Sequence, residues 1–245
     1  MTVSASSLIG YGLADNKALA TLPISFHLLG TMLAGIPASL LMKRVGRRYG
    51  FMIGTGIGVS GAAAATLAII YSNFIFFCLS IFLLGLLSGF SQLYRFAAAE
   101  VASTELRAKA VSWVMLGGII AGFIGPTIAV KAKDLIADAP FAGSYLVVII
   151  LHVVIVAILF MIRLPQPTVE EQTGESRPWR EIFSQPKFIV AVLTSMIGYG
   201  VMAMIMTATP LAMTLGSGHH FSDAAFVIQW HVVGMFAPSF FTGSL

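Results

Sequence analysis

The sequence has very little charge for its length. Only 10% of its 245 residues are Asp, Glu, Lys or Arg, whereas a soluble domain carries roughly 25%. Hydrophobic residues make up 58% of the chain, so a fold of this composition has too little polar surface to be soluble in water. The composition excludes a soluble enzyme, a nucleic-acid-binding domain and a receptor with a single membrane span.

Cysteine and recognisable catalytic motifs are also scarce. The one cysteine, Cys78, gives neither a disulfide framework nor a thiolate metal cluster. The sequence contains no G-x-x-x-x-G-K-[ST] phosphate-binding loop, no G-x-S-x-G and no H-E-x-x-H. It therefore predicts no ATP, no metal and no other cofactor.

Long apolar stretches take the place of charge. About 20 apolar residues cross the roughly 30 Å hydrocarbon layer of a membrane. Eight stretches reach or approach this length, at 2–14, 18–42, 51–71, 74–96, 110–130, 143–162, 188–214 and 224–245. The first is short for a crossing and the last is still apolar at its end, so we expect truncation at both ends. The predicted fold class is an all-α integral membrane bundle with about eight transmembrane helices.

Basic residues cluster at alternate connections between these stretches. Eleven of the 14 Lys and Arg residues lie on one side of the predicted topology, and only Lys17, Lys131 and Lys133 lie on the other. Because positively charged loops stay in the cytoplasm, we predict a multi-pass protein of the cell (inner or plasma) membrane. The connections at 43–48 and 164–187 are then cytoplasmic.

A weak internal repeat suggests two halves. His27-Leu-Leu-Gly30 in the second stretch recurs as His231-Val-Val-Gly234 in the eighth, across the polar connection at 164–187. Parallel repeats of this kind build many transporters. We predict a six-helix half at 1–163 with a clipped first helix, a linker at 164–187, and the first two helices of a second half at 188–245.

The connection after the second stretch carries the most specific motif. It reads Ser39-Leu-Leu-Met-Lys43-Arg44-Val-Gly46-Arg47-Arg48 and resembles the G-x-L-a-D-R-x-G-R-R loop of the major facilitator superfamily. Lys43 stands at the acidic position of that pattern. In the family the carboxylate joins a charge network, and a lysine cannot accept its hydrogen bonds. The resemblance therefore implies that this charge network is rewired or absent here. It also implies that the complete bundle has twelve helices.

The fifth stretch carries a second likeness to that family. Gly118, Gly122, Gly125 and Pro126 are similar to the G-x-x-x-G-P element of its antiporter branch. The fourth stretch departs from the family, because Ile81 stands where a membrane arginine is frequent. The resemblance implies a secondary active transporter of a small organic solute that works by alternating access, is proton-coupled and leans towards efflux or antiport.

Polar groups at membrane depth are costly and so are candidates for function. His27 and His231 lie at matching depths in the second and eighth stretches, where they are expected to face each other, and an imidazole can carry a coupled proton near neutral pH. The structural alternative is that each donates to a neighbouring backbone carbonyl. The architecture of the resembled family adds Tyr11 and Tyr199 as candidates for the cavity wall.

The fourth stretch supplies a polar face. Ser88, Gln92 and Arg95 follow each other at helical spacings of four and three, and Gln92 and Arg95 are candidates for holding a substrate. The structural alternative is that Arg95 reaches the membrane surface or pairs with Glu100 or Glu105.

Two other functions compete with transport. An intramembrane enzyme needs a buried nucleophile with its base or a metal set, and the apolar stretches offer no clear carboxylate for either. A membrane scaffold without transport is the other alternative, and polar residues on predicted cavity faces count against it. The predicted partners are a small-molecule substrate, protons and the lipid bilayer, with no nucleic acid.

Overall fold

The computed structural model describes residues 2–162, 164–165 and 178–238. Over these ranges the regular secondary structure is helical, without strands, which confirms the all-α prediction. The α-helices are α1 (Thr2–Leu13), α2 (Leu22–Val45), α3 (Arg47–Ile70), α4 (Phe74–Ser91), α5 (Tyr94–Val101), α6 (Arg107–Ala132), α7 (Ala142–Met161), α8 (Trp179–Phe183), α9 (Pro186–Leu211) and α10 (Phe221–Phe236).

Six helical segments are long and apolar enough to cross a membrane. They are Lys17–Val45, Arg47–Ile70, Phe74–Val101, Thr104–Ala132, Ala142–Met161 and Pro186–Gly216. The eight predicted stretches correspond to these six together with α1 and α10, whose described lengths are 12 and 16 residues. Residues 239–245 of the last stretch and 166–177 of the predicted linker lie outside the described residues. The chain is a multi-pass membrane protein.

The connection between α2 and α3 is much shorter than the sequence suggests. The apolar stretches leave 43–50 as a loop, but in the structure only Gly46 separates the two helices. Its φ of 87° lies in the left-handed region that glycine adopts without steric cost. Lys43 and Arg44 therefore belong to the last turn of α2, and Arg47 and Arg48 to the first turn of α3.

The fourth stretch is not one continuous helix as predicted. A turn at Gln92–Leu93 separates α4 from α5. Here the Leu93 N–H donates to the Phe90 carbonyl at 3.0 Å, and the Phe96 N–H donates to the Leu93 carbonyl at 3.2 Å. Hydrogen bonds between residues three apart in the sequence wind the backbone more tightly than those of an α-helix. The interruption sets the direction in which Gln92 and the residues after it project.

Glycines bring α2 and α4 into close contact. A Cβ atom at Gly85 would overlap the backbone carbonyl of His27, and one at Gly30 would overlap the carbonyl of Phe82. Thr31 strengthens the contact, since its Oγ1 lies 2.9 Å from the His27 carbonyl oxygen and 3.1 Å from that of Gly85. Small residues at a helix interface allow this approach in membranes, and they fix the position of α4 relative to α2.

A polar pair lies inside the bundle of α1, α3, α4 and α7. Ser6 Oγ and the Tyr145 hydroxyl are 3.1 Å apart and buried, and the Tyr145 ring meets Phe77 edge to face at 5.9 Å between centroids. Because a buried hydroxyl without a partner is costly, this hydrogen bond ties α1 to α7.

Candidate functional site

A cavity of about 1400 Å³ is lined both by helices that precede residues 166–177 in the sequence and by helices that follow them. Its wall includes residues of α2, α3, α4, α5, α6 and α7, and also residues of α9 and α10. Most of the lining is apolar, as in typical sites for organic ligands. The polar side chains of the lining are those of Thr31, Ser91, Gln92, Tyr94, Arg95 and Tyr199.

Three of the predicted site residues meet at this cavity. Gln92 lies at the turn after α4, Arg95 in the first turn of α5, and Tyr199 in the middle of α9. Tyr11, which we also expected at the cavity, is not among its described lining residues. Its ring instead lies under the Lys17 ammonium, 5.1 Å from the Nζ atom.

Arg95 is the one charged side chain among the described residues that line this cavity. Its guanidinium carbon lies 5.1 Å from the centroid of the Phe96 ring, a cation–π arrangement. Its Nε is buried and has no hydrogen-bond partner within the described part of the chain. A buried donor without a partner is costly, so Arg95 has a donor available to a bound molecule.

The expected carboxylate partners of Arg95 are engaged elsewhere. Glu100 pairs with Arg47, whose Nε donates to Oε2 at 2.7 Å and whose Nη2 contacts Oε1. Glu105 Oε2 lies 3.4 Å from the Ser103 hydroxyl. The predicted alternative of an Arg95 ion pair is therefore not the arrangement in the structure.

Aromatic rings form another part of the cavity wall. Phe51 and Tyr94 stack with their centroids 4.0 Å apart at an angle of 12°, and Phe236 of α10 lines the same space. These three residues and Thr31 were not predicted to line the cavity. Two sequence features could have indicated a place at the cavity: Tyr94 directly precedes Arg95, and Thr31 lies one helical turn after His27.

The two candidate histidines occupy different surroundings. His27 Nε2 lies 3.3 Å from Ser88 Oγ, and its Nδ1 is buried without a hydrogen-bond partner within the described ranges. His231 is on α10, which packs against α6, and its Nε2 is likewise buried and unpartnered among described residues. The structure thus places His27 against α4, and neither His27 nor His231 is among the described residues that line the cavity.

The residues of the 39–48 motif join three helices. The guanidinium of Arg48 donates to two carbonyls in the last turn of α7, from Nε to Leu159 at 2.9 Å and from Nη2 to Phe160 at 2.6 Å. These carbonyls belong to the last turn of a helix, where intrahelical donors are lacking. Ser39 Oγ, one turn before Lys43, donates to the Ile36 carbonyl at 2.8 Å. With the ion pair to Glu100, the start of α3 is thus fastened to α5 and α7.

Two glycines of the predicted glycine-proline element in α6, Gly118 and Gly122, face α10. A Cβ atom at Gly118 would come within 3.0 Å of the Phe236 ring, and one at Gly122 within 2.8 Å of Val232 Cγ1. Gly125 is half-buried and Pro126 is buried inside α6. The small residues therefore allow α6 to approach a helix that follows the predicted linker.

A model of the Major Facilitator Superfamily matches the chain over residues 1–245. The riboflavin transporter RfnT of Brucella anthropi is 41% identical over 249 residues, which cover 100% of this chain and 62% of that protein. No solved structure is a significant match.

Two further relatives come from Bacillus subtilis and are named as uncharacterized MFS-type transporters. YdeG is 26% identical, covering 99% of this chain and 60% of that protein, and YddS is 22% identical, covering 99% and 59%. The chain thus spans about six-tenths of the length of the curated relatives that it matches.

Proposed function

Because this chain belongs to the Major Facilitator Superfamily, we propose that it moves a small organic solute across the membrane by alternating access. The family and its transporter-named relatives assign the chain to transporters rather than to enzymes. The observation that carries the proposal is the 1400 Å³ cavity in which Gln92, Arg95 and Tyr199 converge. Such a cavity gives a solute a largely apolar site with a few orienting polar groups.

The origin of the cavity walls supports alternating access. Arg95 lies before residues 166–177, while Tyr199 and Phe236 lie after them. If the predicted units at 1–163 and 188–245 rock against each other, the two walls of the cavity move apart on one side and approach on the other. A solute held between the walls would be exposed to each side of the membrane in turn.

The chemistry of the cavity suits a planar aromatic heterocycle. Tyr94 and Phe236 offer ring surfaces, which favour stacked or edge-to-face contacts. Gln92 both donates and accepts hydrogen bonds, and Arg95 only donates, so together they match a ring edge that carries carbonyl and N–H groups. The relative named as a riboflavin transporter makes riboflavin the first solute to test.

We propose that His27 couples transport to the movement of protons. Its buried imidazole contacts Ser88, a residue of the helix that leads to Gln92, so protonation would change contacts between α2 and α4. The glycines and proline of α6 favour efflux or antiport as the direction. The basic residues at 43–48 favour a cytoplasmic position for this connection in a bacterial inner membrane.

The test is riboflavin flux in proteoliposomes that contain the purified full-length protein. We expect flux that follows an imposed proton gradient and stops when a protonophore is added. Arg95→Gln should reduce riboflavin binding at least about tenfold, the effect of one lost charged hydrogen bond of about 1.5 kcal/mol. Arg180→Gln is the matched control, because Arg180 is exposed on α8.

Each part of the proposal has its own contrary result. Equal riboflavin binding by the Arg95→Gln and Arg180→Gln variants would rule out this cavity as the riboflavin-binding site. Flux that is independent of the gradient, or unchanged in rate and pH profile when His27 and His231 are both replaced by Gln, would remove proton coupling. Accumulation inside vesicles of defined orientation distinguishes import from export.

A further inference from the structure

The 1400 Å³ cavity extends to one end of the bundle. Ala97, Val101 and Leu164 line both this cavity and a smaller pocket beside it. The smaller pocket is also lined by Lys43 at the end of α2 and by Arg107 at the start of α6. We call the end of the bundle at which α2 ends and α3 and α6 begin the near end. The cavity is therefore continuous with the near end.

An aromatic contact joins the helices at the opposite end, the far end. The α6 helix starts at the near end and has 26 residues, about 39 Å at 1.5 Å per residue, so the connection from α6 to α7 lies at the far end. There the ring of Phe141, just before α7, meets that of Phe221, the first residue of α10, edge to face with 5.0 Å between centroids. Phe221 is buried. Since Phe141 precedes residues 166–177 and Phe221 follows them, this contact joins the two predicted units.

The backbone of Phe141 is strained. Its φ of 70° lies in the left-handed region, which is sterically unfavourable for a bulky residue and open to glycine at no cost. The Phe141 N–H donates to the Lys133 carbonyl at 2.7 Å, and the residue packs against the buried core that contains Tyr145. Strained residues of this kind are found where a structure switches between states. A phenylalanine at this position therefore contributes its ring at a cost that glycine would not incur.

The contact between the two units changes in character along α6 and α10. Midway along α6, a Cβ atom added at Gly122 would come within 2.8 Å of Val232 Cγ1 on α10. Small residues at a helix contact let the two backbones stay close. If the units tilt about this point, Gly122 and Val232 stay together, whereas the rings of Phe141 and Phe221 at the far end move apart. The far-end ring contact is therefore one that a tilt of the units must break.

We propose that the contact of Phe141 with Phe221 is a latch. It holds the far end closed while the cavity is open to the near end, and it must break before the solute reaches the opposite side of the membrane. The inference rests on the proposed alternating access. The ring contact favours the closed far end, whereas the left-handed backbone of Phe141 favours release, since separation allows this backbone to relax. This balance keeps the latch weak enough to open in each transport cycle.

The experiment measures the separation of the two units at the far end in the purified full-length protein. Nitroxide labels at Tyr71→Cys, directly after α3, and at Ser222→Cys, in the first turn of α10, report their distance by pulsed electron paramagnetic resonance in bilayers. Both positions are exposed, and Cys78→Ala removes the native thiol. Loss of an edge-to-face ring pair shifts a two-state equilibrium about two- to twelvefold. Phe141→Ala and Phe221→Ala should each raise the ratio of far-end-open to far-end-closed protein by at least about twofold.

Phe141→Gly separates the role of the ring from that of the backbone. It removes the ring as Phe141→Ala does, but glycine takes the left-handed conformation without strain. Phe141→Gly should therefore open the far end less than Phe141→Ala, an order that a general loss of packing does not produce. Phe226→Ala is the matched control, because Phe226 is exposed on α10 and its ring contacts Trp230 of the same helix. Its populations should equal those of the unmodified protein.

The possible outcomes separate the latch from the proposed solute. Equal far-end populations in Phe141→Ala, Phe221→Ala and the unmodified protein would overturn the latch, as would an equal shift in Phe226→Ala. Greater opening in Phe141→Gly than in Phe141→Ala would overturn the opposing action of the backbone. The measurement needs no solute, so the expected shifts in a protein that moves no riboflavin would support the latch and refute riboflavin as the solute. A single distance in every variant would overturn both the latch and alternating access.

Discussion

Replacing Gly85 by alanine tests whether the close contact between α2 and α4 holds the bundle together. The added methyl group would overlap the backbone carbonyl of His27 on the facing helix. A backbone atom cannot turn away as a side chain can, so the two helices must separate. The separation would also lengthen the hydrogen bond between His27 and Ser88 and the contact of Thr31 with the Gly85 carbonyl.

The size of the effect follows from opposing contributions. Overpacking a tight contact costs about 1–3 kcal/mol, and weakening an intramolecular hydrogen bond adds about 0.5–1.5 kcal/mol. Alanine is favoured over glycine within a helix by about 0.5–1 kcal/mol. We therefore expect Gly85→Ala to lower the free energy of unfolding by about 1–3 kcal/mol.

Gly56→Ala is the matched control. A Cβ atom at Gly56 of α3 meets nothing within 4 Å, so this variant gains helix propensity without a clash and should be neutral or slightly more stable. Thermal unfolding in detergent, followed by tryptophan fluorescence, compares the two. At about 2–4 °C per kcal/mol for a chain of this size, Gly85→Ala should unfold several degrees below Gly56→Ala. Equal unfolding temperatures for the two variants would refute the contact.

Two further predictions use the same unfolding measurement. Arg48→Ala should lower the free energy of unfolding by about 1.5–3 kcal/mol, since it removes charged hydrogen bonds to two carbonyls at the end of α7. Arg44 is exposed, so Arg44→Ala should change this free energy by less than about 0.5 kcal/mol. Similar losses in the two variants would contradict the anchoring of α7 by Arg48. Tyr145→Phe should cost about 0.5–1.5 kcal/mol by removing the buried hydrogen bond between the Tyr145 hydroxyl and Ser6. Combined with Ser6→Ala, the two changes should cost less than their sum, because both remove the same hydrogen bond; a purely additive double variant would count against the pair.

Much of the fold could be predicted because the membrane imposes one simple requirement on the sequence. Each crossing needs a long apolar helix, so the apolar stretches located the segments that become α2, α3, α4, α6, α7 and α9. Helix ends were harder to predict, because they depend on backbone conformation. The left-handed Gly46 allows α2 to extend through the basic residues to Val45, and hydropathy does not register such a turn.

The cavity was predictable only where one helix face carried the information. Gln92 and Arg95 were found from their spacing on one stretch, and both line the cavity with Tyr199. The partner of Arg47 could not be found in this way. Glu100 is 53 residues away in the chain, and its approach depends on how α3 and α5 pack, which no local pattern encodes.

The turn between α4 and α5 lies between two contacts that fix these helices to their neighbours. Before it, α4 is fixed to α2 by Gly85, and after it, α5 is fixed to α3 by Glu100. Gln92 lies at the turn and Arg95 just beyond it, so a change in the angle between α4 and α5 moves these side chains within the cavity that they line. Any rearrangement that separates α5 from α3 must first break the ion pair of Arg47 with Glu100.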